Sequence, residues 1–365
     1  MTDRHDSGAD RRKVLGGIAL GAVAAASSRP AFAQAQTPPA AGMQARPASA
    51  EPAATKPAGR TGETLTRLGL GTYLTFDLLP GANRDRLREV TRIHVEAGAR
   101  VVDTSPLYGT GEASVGQFLS AMGATDQMFV ANKIWSTGDF LADESHAMRS
   151  FEQSQLRLWR QRFDLIQVHS LVNVDVVVPM LQAWKKEGRT RFVGVTHHDN
   201  DYHEVLASWV ARGAVDFVQV NYSIANRGAE QRVLRAALDR GVGVFINMPL
   251  DKGRLHKLVG DRPLPDFARE FGAENWAQFF LKFAMSHPAV TTVLCGTSDP
   301  AHAAENVGAL RGPLPDEAMR SRMVRHMEGI PGFDTIGRAP WYPDKQALYQ
   351  GVIRRSQAGM RQRLS

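Results

Sequence analysis

The sequence predicts an α/β fold in which eight strand–helix units close into a (β/α)8 barrel, followed by a C-terminal extension. Three observations carry this reading. Eight short apolar runs of β-type residues recur after Leu65, separated by stretches with helical spacing. Together the units fill about 250 residues, the usual size of such a barrel. The ends of six successive runs carry polar or ionisable residues, where a barrel of this kind gathers its chemistry. An open, doubly wound sheet is the alternative that the same units could build.

Composition narrows the class. Of 365 residues, 43% are hydrophobic and 22% charged, the balance of a globular chain. The net charge of +7 comes from 44 Lys and Arg against 37 Asp and Glu. That charge is scattered through helix-like segments such as Arg84-Asp85-Arg86-Leu87-Arg88-Glu89 instead of forming one basic stripe, so no nucleic-acid partner is expected. The single cysteine, Cys295, excludes an internal disulfide and a thiolate zinc cluster.

The chain opens with Asp10-Arg11-Arg12-Lys13-Val14-Leu15-Gly16 and a mildly apolar run, Val14 to Ala26. That run is shorter than the roughly twenty residues a membrane span needs. Ala31-Phe32-Ala33 then presents small residues where a signal peptidase reads them. Residues 1–33 resemble a twin-arginine export signal, which implies passage through the twin-arginine machinery, cleavage near Gln34, a periplasmic location and no stable membrane anchor afterwards. Residues 34–63 read as a Pro/Ala-rich linker. Thr37–Arg60 alone holds five Pro and eight Ala in 24 residues, with no apolar period.

The barrel is expected over residues 64–311. Strands are predicted at Leu68–Tyr73, Arg100–Asp103, Met128–Lys133, Leu165–His169, Phe192–Thr196, Phe217–Asn221, Gly243–Asn247 and Thr292–Gly296. Amphipathic helices are read at Asp85–Ala97, His146–Trp159, Val176–Glu187 and Glu230–Arg240, several stopping at a glycine. Apolar strands alternating with helices imply a parallel sheet with covered faces. Residues 312–365 form the extension, with helical spacing at Met323–Met327, loops around Gly329-Ile330-Pro331-Gly332 and Ala339-Pro340-Trp341-Tyr342-Pro343, and a basic helix over Lys345–Arg363.

The run Gly98-Ala99-Arg100-Val101-Val102-Asp103-Thr104-Ser105-Pro106-Leu107-Tyr108-Gly109 resembles the Gly-x-x-x-x-Asp-Thr-x-x-x-Tyr-Gly pattern of the aldo-keto reductase family. Further segments match in order: Ala131-Asn132-Lys133; Ser154-Gln155-Leu156-Arg157-Leu158 with His169; Glu187-Gly188-Arg189 through Gly194-Val195-Thr196; Gln219-Val220-Asn221; Met248-Pro249-Leu250; and Gly296-Thr297 through Glu305-Asn306. The resemblance spans Leu68 to Leu310, roughly two thirds of the chain. It implies a single catalytic domain of TIM-barrel type and a tetrad of Asp103, Tyr108, Lys133 and His169. Reducing a carbonyl needs a proton at oxygen as well as a hydride at carbon. A tyrosine titrates near about 10, too high for an efficient acid at neutral pH, unless an ammonium favours its anion. Lys133 is that ammonium and Asp103 its anchor, with Tyr108 the general acid/base and His169 a donor to the substrate oxygen.

The resemblance also implies a nicotinamide nucleotide, NADP with NAD as the alternative, lying across the barrel mouth. Thr196, His197, Gln219 and Asp103 fall beside the nicotinamide, with Gly71 and Thr72 beneath it and Asn247 where the family often has a stacking aromatic. Leu250 and Gly253 flank the pyrophosphate, and Gly296, Thr297, Ser298, His302, Glu305 and Asn306 the adenosine end. Gly296 and His302 stand where Lys and Arg often clamp a 2′-phosphate, which departs from the pattern. Phe76, Leu107, Trp135 and Trp341 are the expected substrate pocket, mostly apolar, for a small-molecule carbonyl or alcohol. No metal is expected. The His197-His198 pair is read as strand residues facing opposite sides, unable to hold one ion. Two other activities fit the same site: a redox-neutral sugar epimerase or isomerase with a trapped nicotinamide, and a non-catalytic nicotinamide-binding subunit.

Overall fold

Eight parallel strands close on themselves in the computed structural model, which describes residues 51–78, 81–135 and 145–341. The expectations for residues 1–50 and for the helix over 345–363 lie outside these residues. The described residues all belong to one compact unit, Ser49–Ser365.

The barrel strands are β3 (Leu68–Gly71), β4 (Val101–Asp103), β5 (Phe129–Ile134), β6 (Phe163–His169), β7 (Thr190–His197), β8 (Phe217–Asn221), β9 (Gly243–Asn247) and β10 (Thr292–Cys295), following the short hairpin strands β1 (Thr55–Pro57) and β2 (Thr64–Thr66). Each barrel strand pairs with its sequence neighbour, and β10 closes the ring on β3 with Leu294 opposite Gly69. The alternative open sheet is thereby excluded. Runs such as Phe217-Val-Gln-Val-Asn221 suit this place, since branched and aromatic residues fill both faces of a covered strand.

Helices α1 (Asp85–Glu96), α2 (Gly111–Ala121), α3 (Ser145–Leu158), α4 (Val174–Lys186), α5 (His203–Ala211), α6 (Val233–Arg240), α7 (Arg254–Val259), α8 (Trp276–Ser286) and α9 (Pro300–Gly308) cover the outside. In α4, Val177, Val178, Leu181 and Trp184 form one buried stripe, while Lys185 and Lys186 occupy the last turn, where the helix dipole favours cations.

The linker expectation is corrected from residue 51 onward. Thr55 pairs with Thr66 and Pro57 with Thr64 in an antiparallel hairpin. Ala58 and Leu65 from this hairpin pack with Val101, Phe129, Leu165, Phe217, Phe245 and Leu294 in the lower barrel. The turn depends on Gly59, whose φ is +55° and whose added Cβ would lie 2.1 Å from the Gly241 carbonyl oxygen. Pro/Ala composition hid a segment whose ordering is repaid by plugging an apolar opening.

Part of the extension is also built onto the barrel. Helix α10 (Glu317–Glu328) buries Met323, Val324 and Met327, and its Arg320 donates to the Phe283 carbonyl (2.6 Å) and to Glu230 (3.0 Å). Below it, the fully buried Lys282 ammonium donates to the carbonyls of Phe271 and Arg311 at 2.6 Å each. Lys282→Met is expected to strip these carbonyls of their donor and lower unfolding stability by about 3 kcal/mol, as two or more buried acceptors go unpaired. Urea melts of the two proteins check this.

Candidate active site

Register sets the chemistry. Gly71 pairs with Asp103 and Asp103 with Ala131, so Lys133, two residues further along β5, projects to the same inner face one step higher. Its ammonium donates to both Asp103 carboxylate oxygens at 2.7 Å and to the Thr104 carbonyl at 2.8 Å. Lys133 is 1% exposed and Asp103 4%. Burial pushes the carboxyl up and the ammonium down, while their mutual attraction opposes both shifts. The Gln167 side-chain amide lies 3.5 Å from the same carboxylate, and the Gln219 amide also favours its charged form.

Tyr108 enters above this pair from the β4–α2 loop. Its backbone N–H donates to the Ser105 carbonyl (3.0 Å), and the chain turns at Gly109, with φ +60°. A Cβ at Gly109 would sit 2.2 Å from the Asp77 carboxylate, which accepts the Thr110 N–H at 2.9 Å. The glycine that follows the tyrosine is therefore required twice, by conformation and by space. The Lys133 nitrogen lies 5.1 Å from the centre of the Tyr108 ring. His169, ending β6, meets that ring edge-on at 5.7 Å, and its Nδ1 is 3.0 Å from Ser105 Oγ. Burial first, then the Lys133 charge, holds the His169 imidazole well below the usual histidine range, hence neutral. All four tetrad residues are thus brought together.

They sit on the floor of a cavity of about 950 Å3. The same cavity is lined by Gly71, Thr72, Thr196, His197, Gln219, Asn247, Leu250, Gly253, Gly296, Thr297, Ser298, His302, Glu305 and Asn306, every residue expected around the nucleotide. Buried oxygens of Gln219 (Oε1) and Asn247 (Oδ1) have no hydrogen-bond partner among the described residues, an acceptor pair suited to a carboxamide N–H. Gly296 also lets two backbones pack closely, because a Cβ there would lie 2.7 Å from the Gly71 oxygen.

The substrate pocket differs from expectation. Leu107 and Trp341 line the cavity, but Phe76 does not. Phe76 is fully buried against Phe118, because its N–H returns to the Thr72 carbonyl and turns the ring into the core. Trp135 is half-buried and absent from the cavity lining; the loop that follows it, 136–144, lies outside the described residues. The wall is also less apolar than expected. Tyr73 stands 5.1 Å from the Tyr108 ring, and the Lys252 ammonium lies 4.9 Å from the Tyr73 ring and 3.6 Å from that of Trp341. Burial draws Lys252 down to about 8.

The opposite-face reading of His197 and His198 fails as well. β7 stops at His197, so alternation ends there, and the two rings stack in parallel at 5.3 Å beside the cavity. Among the described residues no group of three or more His, Cys, Asp or Glu could hold a metal ion. Sequence reasoning missed Ser105, Gln167, Tyr73, Lys252 and His198. Gln167 was accessible by parity, two residues before His169 on one strand. Lys252 was not, because Met248, Asp251 and Lys252 reach left-handed backbone with no glycine to announce it.

A sequence model of the aldo/keto reductase family matches residues 67–322. The chain is 26% identical over 312 residues to an NADH-specific methylglyoxal reductase of Escherichia coli, covering 71% of this chain and 94% of that one. It is likewise 26% identical to L-galactose dehydrogenase of Arabidopsis thaliana, covering 69% and 86%. Among solved structures, it resembles an aldo/keto reductase from Klebsiella pneumoniae in complex with NADP and acetate, with TM-score 0.62, 23% identity and coverage of 73% and 93%. An aldo-keto reductase from Bacillus halodurans aligns with TM-score 0.61 at 21% identity, covering 75% and 96%.

Proposed function

Because this chain belongs to the aldo/keto reductase family and is an oxidoreductase, we propose that it interconverts an aldehyde or ketone and its alcohol with NADP(H), NAD(H) being the alternative nucleotide, and with Tyr108 as general acid/base. One observation carries the reading: the buried Asp103–Lys133 pair at 2.7 Å, with the Tyr108 ring 5.1 Å from the ammonium and His169 edge-on to that ring.

When bound, the reduced nicotinamide supplies a hydride to the carbonyl carbon. The chain's part is the proton and the position. Tyr108 gives its phenolic proton to the substrate oxygen, and the Lys133 ammonium stabilises the negative charge left behind. Asp103 holds the ammonium in place, and neutral His169 steadies the oxygen as charge gathers on it. The buried oxygens of Gln219 and Asn247, without partners among the described residues, would orient the carboxamide, and Gly71 and Gly296 line the same cavity. The Klebsiella relative's NADP and the Escherichia coli relative's NADH support the two nucleotides in turn.

Initial rates with either nucleotide and a panel of small aldehydes, methylglyoxal included, test the reading. Consumption of reduced nucleotide in step with carbonyl loss is expected. Tight nucleotide binding without turnover of any carbonyl or alcohol would overturn it. The reading extends to location: residues 1–33, with Arg11-Arg12 and Ala31-Phe32-Ala33, support export to the periplasm by the twin-arginine route. Fractionation of the native host, with Arg11→Lys plus Arg12→Lys as control, is expected to move the protein from periplasm to cytoplasm.

A further inference from the structure

We infer that Ser105 is a positioning residue: its hydroxyl donates to Nδ1 of His169 and so keeps the imidazole proton on Nε2, the nitrogen left to face the reacting oxygen. The inference rests on the function proposed above.

The hydrogen-bond inventory around Ser105 leaves one consistent arrangement. Ser105 is fully buried, and its Oγ already accepts the Leu107 N–H at 3.2 Å. The His169 Nδ1 stands 3.0 Å from the same oxygen. If Nδ1 carried the proton, Oγ would accept twice, and its own hydroxyl proton would have no partner in the hydrogen bonds that the described residues make around it. If the hydroxyl donates instead, every group is used: Leu107 N–H to Oγ, and Oγ–H to Nδ1. A neutral imidazole then holds its proton on Nε2. Neutrality is favoured on every side, by burial, by the Lys133 ammonium and by the neighbouring imidazoles of His197 and His198. His169 is half-buried and lines the cavity, so the ring enters it with Nδ1 tied behind to the β4 loop.

The same residue also places the acid, since the Ser105 carbonyl accepts the Tyr108 N–H at 3.0 Å. Backbone and side chain of one serine therefore fix two groups that must converge on one substrate oxygen. The backbone part uses only the residue 105 carbonyl, which every side-chain substitution keeps. The hydroxyl part depends on the side chain, which separates the two in an experiment.

The test is made on the whole protein with 15N-labelled histidine, reading long-range 15N–1H correlations at neutral pH. The His169 signals are assigned by their loss in His169→Gln. Wild type is expected to show Nδ1 as bare and Nε2 as protonated. Ser105→Ala is expected to lose that single tautomer and to lower kcat by about tenfold, the worth of one buried hydrogen bond, with KM for nucleotide unchanged. Ser105→Thr, which keeps the hydroxyl, is expected to restore both. A wild-type protein with its proton on Nδ1 overturns the proposal, as does a Ser105→Ala protein with unaltered tautomer and kcat. Failure of wild type to turn over any carbonyl sinks the proposed function alone, because the tautomer is read without substrate.

Discussion

Tyr108→Phe is expected to reduce kcat for carbonyl reduction by about a thousandfold, within the range that positioned proton transfer supplies. The substitution removes one oxygen and keeps the ring. Its contacts with Tyr73 at 5.1 Å and His169 at 5.7 Å are ring contacts, and they persist. Nucleotide affinity is therefore expected to stay within about twofold, since the lost interaction is made in the transition state. Stopped-flow hydride transfer, with fluorescence titration of the nucleotide, measures both. A phenylalanine variant that retains most of its turnover would remove Tyr108 from the chemistry.

Breaking the Asp103–Lys133 pair is expected to cost stability as well as activity. Lys133→Met leaves a carboxylate that is 4% exposed without its cation, and Asp103→Asn leaves the reverse. Either single change is expected to lower unfolding stability by about 3–5 kcal/mol, the cost of an uncompensated buried charge. The double variant should recover most of that loss, because no charge then remains to be desolvated. Urea melts of the four proteins form the cycle.

The sign with pH follows from the carboxyl. Burial raises Asp103 above its ordinary 3.8, and Lys133 is the chief restraint on that rise. Without Lys133 the folded state binds a proton at a pH where the unfolded chain does not. The deficit of Lys133→Met should therefore shrink as pH is lowered from 8 towards 5 and grow as it is raised. A deficit independent of pH would show that the lost stability comes from packing and not from charge.

Much of this was legible in the chain. The apolar runs placed Asp103, Lys133 and His169 at strand ends, and the family resemblance gave them their roles; the parallel register of the strands then turns them to one inner face. Gly109 after Tyr108 marked a turn that only one backbone conformation allows. The residues around the nucleotide were what the family resemblance implied. Where the regular pattern stopped, the reading stopped with it. Phe76 and Trp135 both lie just past a strand end, where no period governs direction, and one turned into the core while the other stayed out of the cavity lining. His198 escaped its predicted side for the same reason.

Which residue types stand at the barrel's upper rim is written locally, since alternation and spacing belong to the chain. Tertiary structure alone decided which of them meet. Ser105 reaches His169 across 64 positions of sequence, and the Lys252 ammonium lies over rings drawn from residues 73 and 341. The hairpin at residues 55–66 likewise has no apolar period strong enough to announce it. It is ordered by the opening it fills, because burial energy depends on what lies opposite and not on what lies next along the chain.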